Sequence, residues 1–405
     1  MMAKGARKPV NYESFWVVPQ LPVPAWQTER HTYDFGGANP GPDVMPSADL
    51  AEAAKQVIVE EHNEIVRYPP TYGPDRLREL IVHKMKVHRG IEWAGIDEVL
   101  VTNGSAQGIA LAMQTTVVPG DVIITHRYVY QGVVRSFNAS GAEIVTVDRD
   151  EDGMRMDLLE EALAGLKKQG KKVKFLYIIP SPQNPDGTIL PLDRREKLMD
   201  LAEEYDFLIM EDDCYVDQTL DVDQMPPAIM SLDGGEERVI YIATFSKIIS
   251  PGVRVGWVTA SKPLLERMAG YKQDVGNDYF SGLIVAKYLE DHMDDRIEWL
   301  NDRMRHKRDT MLAALGENFG PLVQVRVPKG GMFLWAQFRD GINMSELEVP
   351  SMERGVRYLG GPQFSVIGEG KNYARLNYSF PSVEEITNGI AKLADVLREE
   401  GAIKE

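Results

Sequence analysis

The chain has 405 residues, 43 % hydrophobic and 26 % charged, the balance of a soluble globular protein long enough for more than one core. Asp and Glu (61) outnumber Lys and Arg (45), and the formal charge of −16 disfavours nucleic acid and anionic membrane as partners. No apolar run approaches membrane-spanning length, no secretory segment follows the basic N-terminal residues, and the single cysteine, Cys214, excludes an intrachain disulfide; a cytoplasmic location is expected.

In chain order, the first thirty or so residues are rich in proline and aromatics (Phe15, Trp16, Pro19, Pro22, Pro24, Trp26) and read as an extended arm. A Pro-rich turn opened by Tyr68 leads into a helix over Arg76–His88. From about Glu98, short apolar strands alternate with helical patterns. The strands are expected at Val99–Thr102, Val122–Thr125, Glu143–Val147, Phe175–Ile179, Phe207–Met210, Val239–Ala243 and Val255–Thr259. Helices are expected at Gln107–Val117, Leu158–Lys167 and Arg194–Tyr205. Such alternation implies an α/β fold with a mostly parallel seven-stranded sheet covered on both faces. Ligands then bind beyond the C-terminal ends of the strands. Asp294–Phe319 is helical throughout, with Ile297, Leu300, Met304, Met311, Leu312 and Leu315 at helical spacing. Strands near Val323–Val327, Met332–Ala336 and Ala374–Tyr378 and a helix from about Val383 complete a smaller α+β part.

Chemistry collects at the strand ends. Lys247 follows the strand ending at Ala243, flanked by Thr244 and Ser246, with Arg254 downstream. A lysine amine forms a Schiff base with an aldehyde when its surroundings lower its pKa, and hydroxyls with an arginine suit a phosphate. An aldehyde bearing a phosphate, held by lysine, describes pyridoxal phosphate. Asn184 sits in an Asn-Pro-Asp-Gly turn at the end of the strand before it. Phe207-Leu208-Ile209-Met210-Glu211-Asp212 delivers a carboxylate, and Tyr215 adds a phenol three residues on. A carboxylate facing a pyridine nitrogen keeps that ring protonated. Adjacent strand residues face opposite ways, so Asp212 and Asp213 cannot both serve, and Asp213→Asn is expected to be mild. Asn103-Gly104-Ser105-Ala106 follows a strand and opens a helix, where free N–H groups attract a phosphate. Cys214 is taken as a packing residue. The seven histidines show no metal-ligand spacing, and no metal site is expected.

With Asn184, Asp212-x-x-Tyr215 and Lys247 with Arg254 in this order, the chain resembles the fold-type I aminotransferases of class I/II, which use pyridoxal phosphate. The resemblance runs from about Asp34 to Glu399. It is nearest the 2-aminoadipate and kynurenine aminotransferase branch, through Gly36-Gly37-Ala38-Asn39-Pro40, Glu211-Asp212-Asp213, Ser246-Lys247-Ile248-Ile249 and Pro328-Lys329-Gly330-Gly331-Met332-Phe333-Leu334-Trp335. It implies a large cofactor domain over residues 49–293 and a small domain from 1–48 with 294–405. It implies that Lys247, Asp212 and Tyr215 act in catalysis. The cofactor would be held by Ser105, Ala106, Tyr130 (rather than Tyr128), Asn184, Thr244, Ser246 and Arg254, with Tyr68 reaching across a homodimer. The substrate would meet Arg375, Asn184 and Gly37. The expected reaction moves an amino group between an L-amino acid and a 2-oxo acid, with glutamate and 2-oxoglutarate as one pair and the N-terminal arm helping to set the other. The alternative is another pyridoxal-phosphate reaction, such as a β-lyase, decarboxylase or oxidase. A regulatory reading needs a fused DNA-binding domain, and the short segment before Asp34 carries no helix-turn-helix pattern.

Overall fold

The computed structural model describes residues 10–15, 31–222, 224–235, 238–274, 276 and 278–404. Two compact units are present, residues 1–30 and 31–405. The first contributes a short 3-10 turn, Tyr12–Ser14, whose N-cap Asn11 accepts a hydrogen bond from Glu13 N. The arm residues Trp16, Pro19, Pro22, Pro24 and Trp26 lie outside the described residues.

The second unit is built on a seven-stranded sheet. Its strands are β1 (Val99–Thr102), β2 (Val122–His126), β3 (Glu143–Val147), β4 (Val173–Ile178), β5 (Leu208–Asp212), β6 (Val239–Thr244) and β7 (Gly256–Thr259). Their order is β1-β7-β6-β5-β4-β2-β3. β7 runs antiparallel to both neighbours and the other contacts are parallel. β1, β2, β6 and β7 are buried along their whole length, as a sheet covered on both faces requires. Helices Ser105–Thr116, Met156–Lys168 and Leu192–Tyr205 follow β1, the Gly153–Met154 hairpin and β4, close to the positions their apolar spacing predicts.

The antiparallel insertion of β7 positions the site. Its first residue, Gly256, pairs with Thr102 at the end of β1 and with Thr244 at the end of β6. The loop that joins β6 to β7 and carries Lys247 therefore lies beside the Asn103–Ser105 turn. A Cβ on Gly256 would stand 2.7 Å from Ser105 N and 2.8 Å from Ala243 O. Only glycine allows this approach.

A four-stranded antiparallel sheet follows, with β8 (Val323–Val325), β9 (Phe333–Phe338), β10 (Leu359–Gly360) and β11 (Tyr373–Asn377) in the order β8-β9-β11-β10. Trp335 faces Arg375 across β9 and β11. Tyr33–Asp34 pairs in parallel with Val356–Arg357, tying the segment before Ser47 to this part of the chain. The long helix is Tyr279–Phe319, 41 residues and about 60 Å long at 1.5 Å per residue. It begins fifteen residues before the expected Asp294. Asp278 caps it by accepting from Ser281 N, and the acidic residues Glu290, Asp291, Asp294 and Asp295, which separate its first turns from the expected stretch, are exposed. Leu300, Met304, Met311 and Leu315 are buried, while Ile297 and Leu312 pack partly buried against the same core.

Candidate active site

Five loops at the C-terminal edge of the large sheet, together with β11, bring most of the expected residues to one place. Asp212 ends β5 with its side chain buried. Tyr177 Oη donates to its Oδ2 at 2.6 Å, and the Cys214 thiol donates to Oδ1. Burial raises the Asp212 pKa, and these two donors pull it back down. No cation bonds this carboxylate among the described residues. Asp213 faces the other side of the sheet, where its Oδ2 accepts from Arg89 Nε at 2.6 Å and Tyr241 Oη at 3.0 Å. Glu211 accepts from Ile229 N and Met230 N, both at 2.9 Å.

Lys247 is half-buried, and its Nζ donates to Ala38 O at 2.6 Å. Desolvation of the amine lowers its pKa to about 8, and the guanidiniums of Arg375 and Arg254 act in the same direction. The amine lies 5.2 Å from the centre of the Tyr215 ring. Tyr215 Oη accepts from Asn184 Nδ2 at 3.2 Å, and burial pushes the phenol well up, so it stays protonated. Tyr130 is half-buried, with its ring over Gly132; burial, then Asp212 and Cys214, raise its pKa. Tyr128 belongs to a different group, its ring 5.4 Å from Trp335 and 5.6 Å from Tyr373.

An anion cradle lies on the other side of Lys247. Ser105 and Ala106 open their helix behind Gly104, which has φ +78°, and the first N–H groups of a helix lack intrahelical partners. Ala106 is exposed and brings only its backbone. Arg254 is exposed, with φ +49°, and its Nη2 donates to Asn103 O at 2.5 Å. Thr244 Oγ1 donates to Val255 O at 2.8 Å, so its proton is committed; Ser246 Oγ lies 2.8 Å away. Thr244 thus orients Ser246 and the loop.

Arg375 is fully buried. Its Nη1 donates to Asn184 Oδ1 at 3.2 Å, and its Nη2 donates to Gly36 O and Gly37 O, each at 2.9 Å. Its Nε has no hydrogen-bond partner among the described residues. The rings of Phe333 and Phe364 lie 4.0 and 4.9 Å from the guanidinium carbon. Burial lowers its pKa to about 10, and no carboxylate bonds it among the described residues. Tyr68 is 87 % exposed, outside this cluster, beside Pro69, which packs on Gly276. The described residues hold no cluster of His, Cys, Asp and Glu that could bind a metal ion.

Tyr177, Phe333, Phe364 and the Ala38 carbonyl were not expected from sequence. Tyr177 reads there as one more apolar strand residue; only the alignment of β4 beside β5 brings it to Asp212.

This donor set fits pyridoxal phosphate. A buried carboxylate bonded only by neutral donors suits a protonated ring nitrogen, a low-pKa amine suits an aldehyde, and the helix start beside Ser246 and Arg254 suits a phosphate. The chain matches the family described as aminotransferase class I and II over residues 36–393, and it belongs to that family. It is a pyridoxal-phosphate-dependent aminotransferase of fold type I, and its substrates are small amino and oxo acids. An aromatic-amino-acid aminotransferase from Thermococcus litoralis is 35 % identical over 367 residues, 90 % of this chain and 87 % of that one. The multiple substrate aminotransferase of Thermococcus profundus superposes with a TM-score of 0.88 at 33 % identity, covering 97 % of this chain and 99 % of that one. An α-aminoadipate aminotransferase from Thermus thermophilus, complexed with N-(5′-phosphopyridoxyl)-L-leucine, superposes at 0.83 with 30 % identity over 90 % of this chain and 92 % of that one. These relatives favour amino-group transfer over the lyase, decarboxylase and oxidase alternatives. No helix among the described residues is long and apolar enough to cross a membrane.

Proposed function

We propose that the enzyme exchanges an amino group between glutamate and 2-oxoglutarate as one pair and a larger, aromatic or long-chain amino acid and its oxo acid as the other. The observation that carries this reading is Arg375: a buried guanidinium without a carboxylate, within reach of Asn184 and sharing the field of Lys247. Its fork matches an α-carboxylate, the part that all these substrates share. The phenylalanines flanking it supply an apolar wall for a larger side chain, and the relatives named for aromatic and α-aminoadipate substrates support that class.

Bound pyridoxal phosphate supplies an aldehyde that takes up the amino group and a protonated ring that accepts electrons from the α-carbon. Lys247 Nζ holds the cofactor covalently and, once freed, removes the proton from the substrate α-carbon. Lowering its pKa to about 8 raises the fraction of free amine near neutral pH above that of an ordinary lysine. Asp212 would pair with the ring nitrogen. The Tyr215 hydroxyl and the Asn184 amide would serve the ring 3-oxygen, and Tyr130 would stack on the ring. Ser105, Ala106, Ser246 and Arg254 hold the phosphate, with Thr244 behind Ser246. Arg375, helped by Asn184 and the Gly37 turn, would bind and orient the substrate carboxylate. We take residues 49–293 as the domain that carries the cofactor and 1–48 with 294–405 as the smaller one. The single thiol, buried and hydrogen-bonded, suits a reducing cytoplasm.

The test is a screen of amino donors against 2-oxo acids with product identification. Transfer from glutamate and from at least one aromatic or long-chain donor is expected. Arg375→Ala should raise KM for every donor and acceptor alike, by about tenfold or more, the value of a charge-assisted bidentate contact. Release of ammonia or carbon dioxide without transfer would refute the reading.

The active form is inferred to be a homodimer in which Tyr68 reaches the partner's phosphate. Tyr68 and nearby Val66 are 87 % and 80 % exposed, open to contact with a second copy of the chain. Light scattering beside an activity assay should show activity falling as the dimer dissociates on dilution, and Tyr68→Phe should loosen the cofactor. A fully active monomer rules this out.

A further inference from the structure

Asp212 lies in a buried setting whose two side-chain hydrogen-bond donors come from residues that the reaction has not yet used. Tyr177 is fully buried on β4, its ring 5.6 Å edge-on from Phe137. Its hydroxyl is aimed at Asp212 Oδ2. Cys214, two residues beyond Asp212, gives its thiol to Oδ1, and the Ser105 hydroxyl hydrogen-bonds the same sulfur. Each carboxylate oxygen therefore has a side-chain donor, the Cys214 backbone N–H adds a third bond, and all three donors are neutral.

We propose that Tyr177 and Cys214 are positioning residues that form a two-sided clamp on Asp212, fixing its carboxylate plane and holding it as an anion for the cofactor's ring nitrogen. The proposal rests on the reading of Asp212 given above. Burial alone favours the protonated carboxyl, and a hydrogen bond to the charged form is the means a protein has to oppose this without adding a competing cation. A lysine or arginine in the place of either donor would neutralise the carboxylate before the ring nitrogen could. A phenol and a thiol do not. Burial also pushes both groups well up in pKa, so each keeps its proton and remains a donor at neutral pH. The same shift makes Cys214 a poor nucleophile. Cys214 is thus more than packing: through Ser105 it also ties the Asp212 end of the site to the helix that receives the phosphate.

The test uses the holoenzyme and four variants. Tyr177→Phe keeps the ring and removes one donor. Cys214→Ala removes the other, and Cys214→Ser restores a donor in its place. Asp212→Asn tests the underlying reading. Cofactor dissociation constants are measured by equilibrium dialysis, and the visible absorbance of the bound cofactor is titrated against pH, with thermal melting as the folding control. Tyr177→Phe and Cys214→Ala should each weaken cofactor binding about tenfold, the size of one lost hydrogen bond to a charged group. Each should also displace the spectral titration, while Cys214→Ser behaves like the wild type. A role in packing alone would leave the titration in place. Unchanged affinity and titration in Tyr177→Phe and Cys214→Ala, with Asp212→Asn impaired, overturn the clamp alone. Wild-type behaviour of Asp212→Asn overturns the Asp212 reading itself. Loss in Cys214→Ser equal to that in Cys214→Ala removes the thiol from the clamp.

Discussion

Lys247→Ala is expected to lower turnover by about 10⁴-fold or more while leaving the protein folded and able to hold cofactor without a covalent bond. Two losses combine. The amine that binds the aldehyde is gone, and so is the base at the α-carbon, a role worth about 10²–10⁴-fold by itself. The contacts that remain explain the retained cofactor: the helix start at Ser105, Ser246, Arg254 and the Asp212 carboxylate do not depend on Lys247. Folding is spared because, among the described residues, Lys247 Nζ makes a single hydrogen bond, to the Ala38 carbonyl. The wild-type amine adds a pH signature. With its pKa lowered to about 8, it is mostly protonated at pH 6 and mostly neutral at pH 9. The rate at which apoenzyme takes up pyridoxal phosphate should therefore rise through pH 8 and level off above it. A Lys247→Ala variant with a tenth of wild-type turnover, or an uptake rate that falls over this range, contradicts the assignment.

Asp212→Asn and Asp213→Asn should fail in different ways. Asp212→Asn removes the anion proposed to pair with the ring nitrogen, so activity should fall by about 10²-fold or more for the loss of one charge-assisted contact used in the transition state, with little change in melting. Asp213 was expected from sequence to tolerate the change. Its chemistry does, but its setting does not: its carboxylate is paired with Arg89, and both side chains are buried. Neutralising one partner leaves a buried, uncompensated charge, a cost of about 3–5 kcal/mol. Asp213→Asn should melt well below the wild type, yet the fraction that remains folded should turn over normally. Kinetics referred to folded enzyme, with calorimetry in parallel, separate the two. The opposite ranking of activity would move the cofactor partner to Asp213.

Sequence made the large sheet legible because its strands are unbroken apolar runs, and each ends in polar residues with no packing reason to be there. Lys247, Asp212, Tyr215 and Asn184 all stand at such ends. The opposite orientations of Asp212 and Asp213 followed from strand alternation. What sequence could not show was set by register and distance. Tyr177 meets Asp212 only because β4 lies beside β5, and Arg89 meets Asp213 across 124 residues. The Ala38 carbonyl under Lys247 comes from 209 residues away. Gly256 looked like any glycine opening a strand until β7 was found inserted antiparallel between β1 and β6. Arg375 could be placed on a strand but not in a buried position against Asn184 and the Gly36–Gly37 carbonyls. The first turns of the long helix, Tyr279–Leu289, were cut off from the later pattern by the exposed acidic residues Glu290, Asp291, Asp294 and Asp295, which interrupt the apolar spacing.

The central claim is that Lys247 is the residue that binds the cofactor. Borohydride reduction of the yellow holoenzyme, followed by proteolysis and mass spectrometry, tests it most directly. The added mass of reduced pyridoxal phosphate should fall on the peptide containing Lys247 and on that residue alone. The same mass on another lysine, or none after the yellow colour has been discharged, would contradict the account.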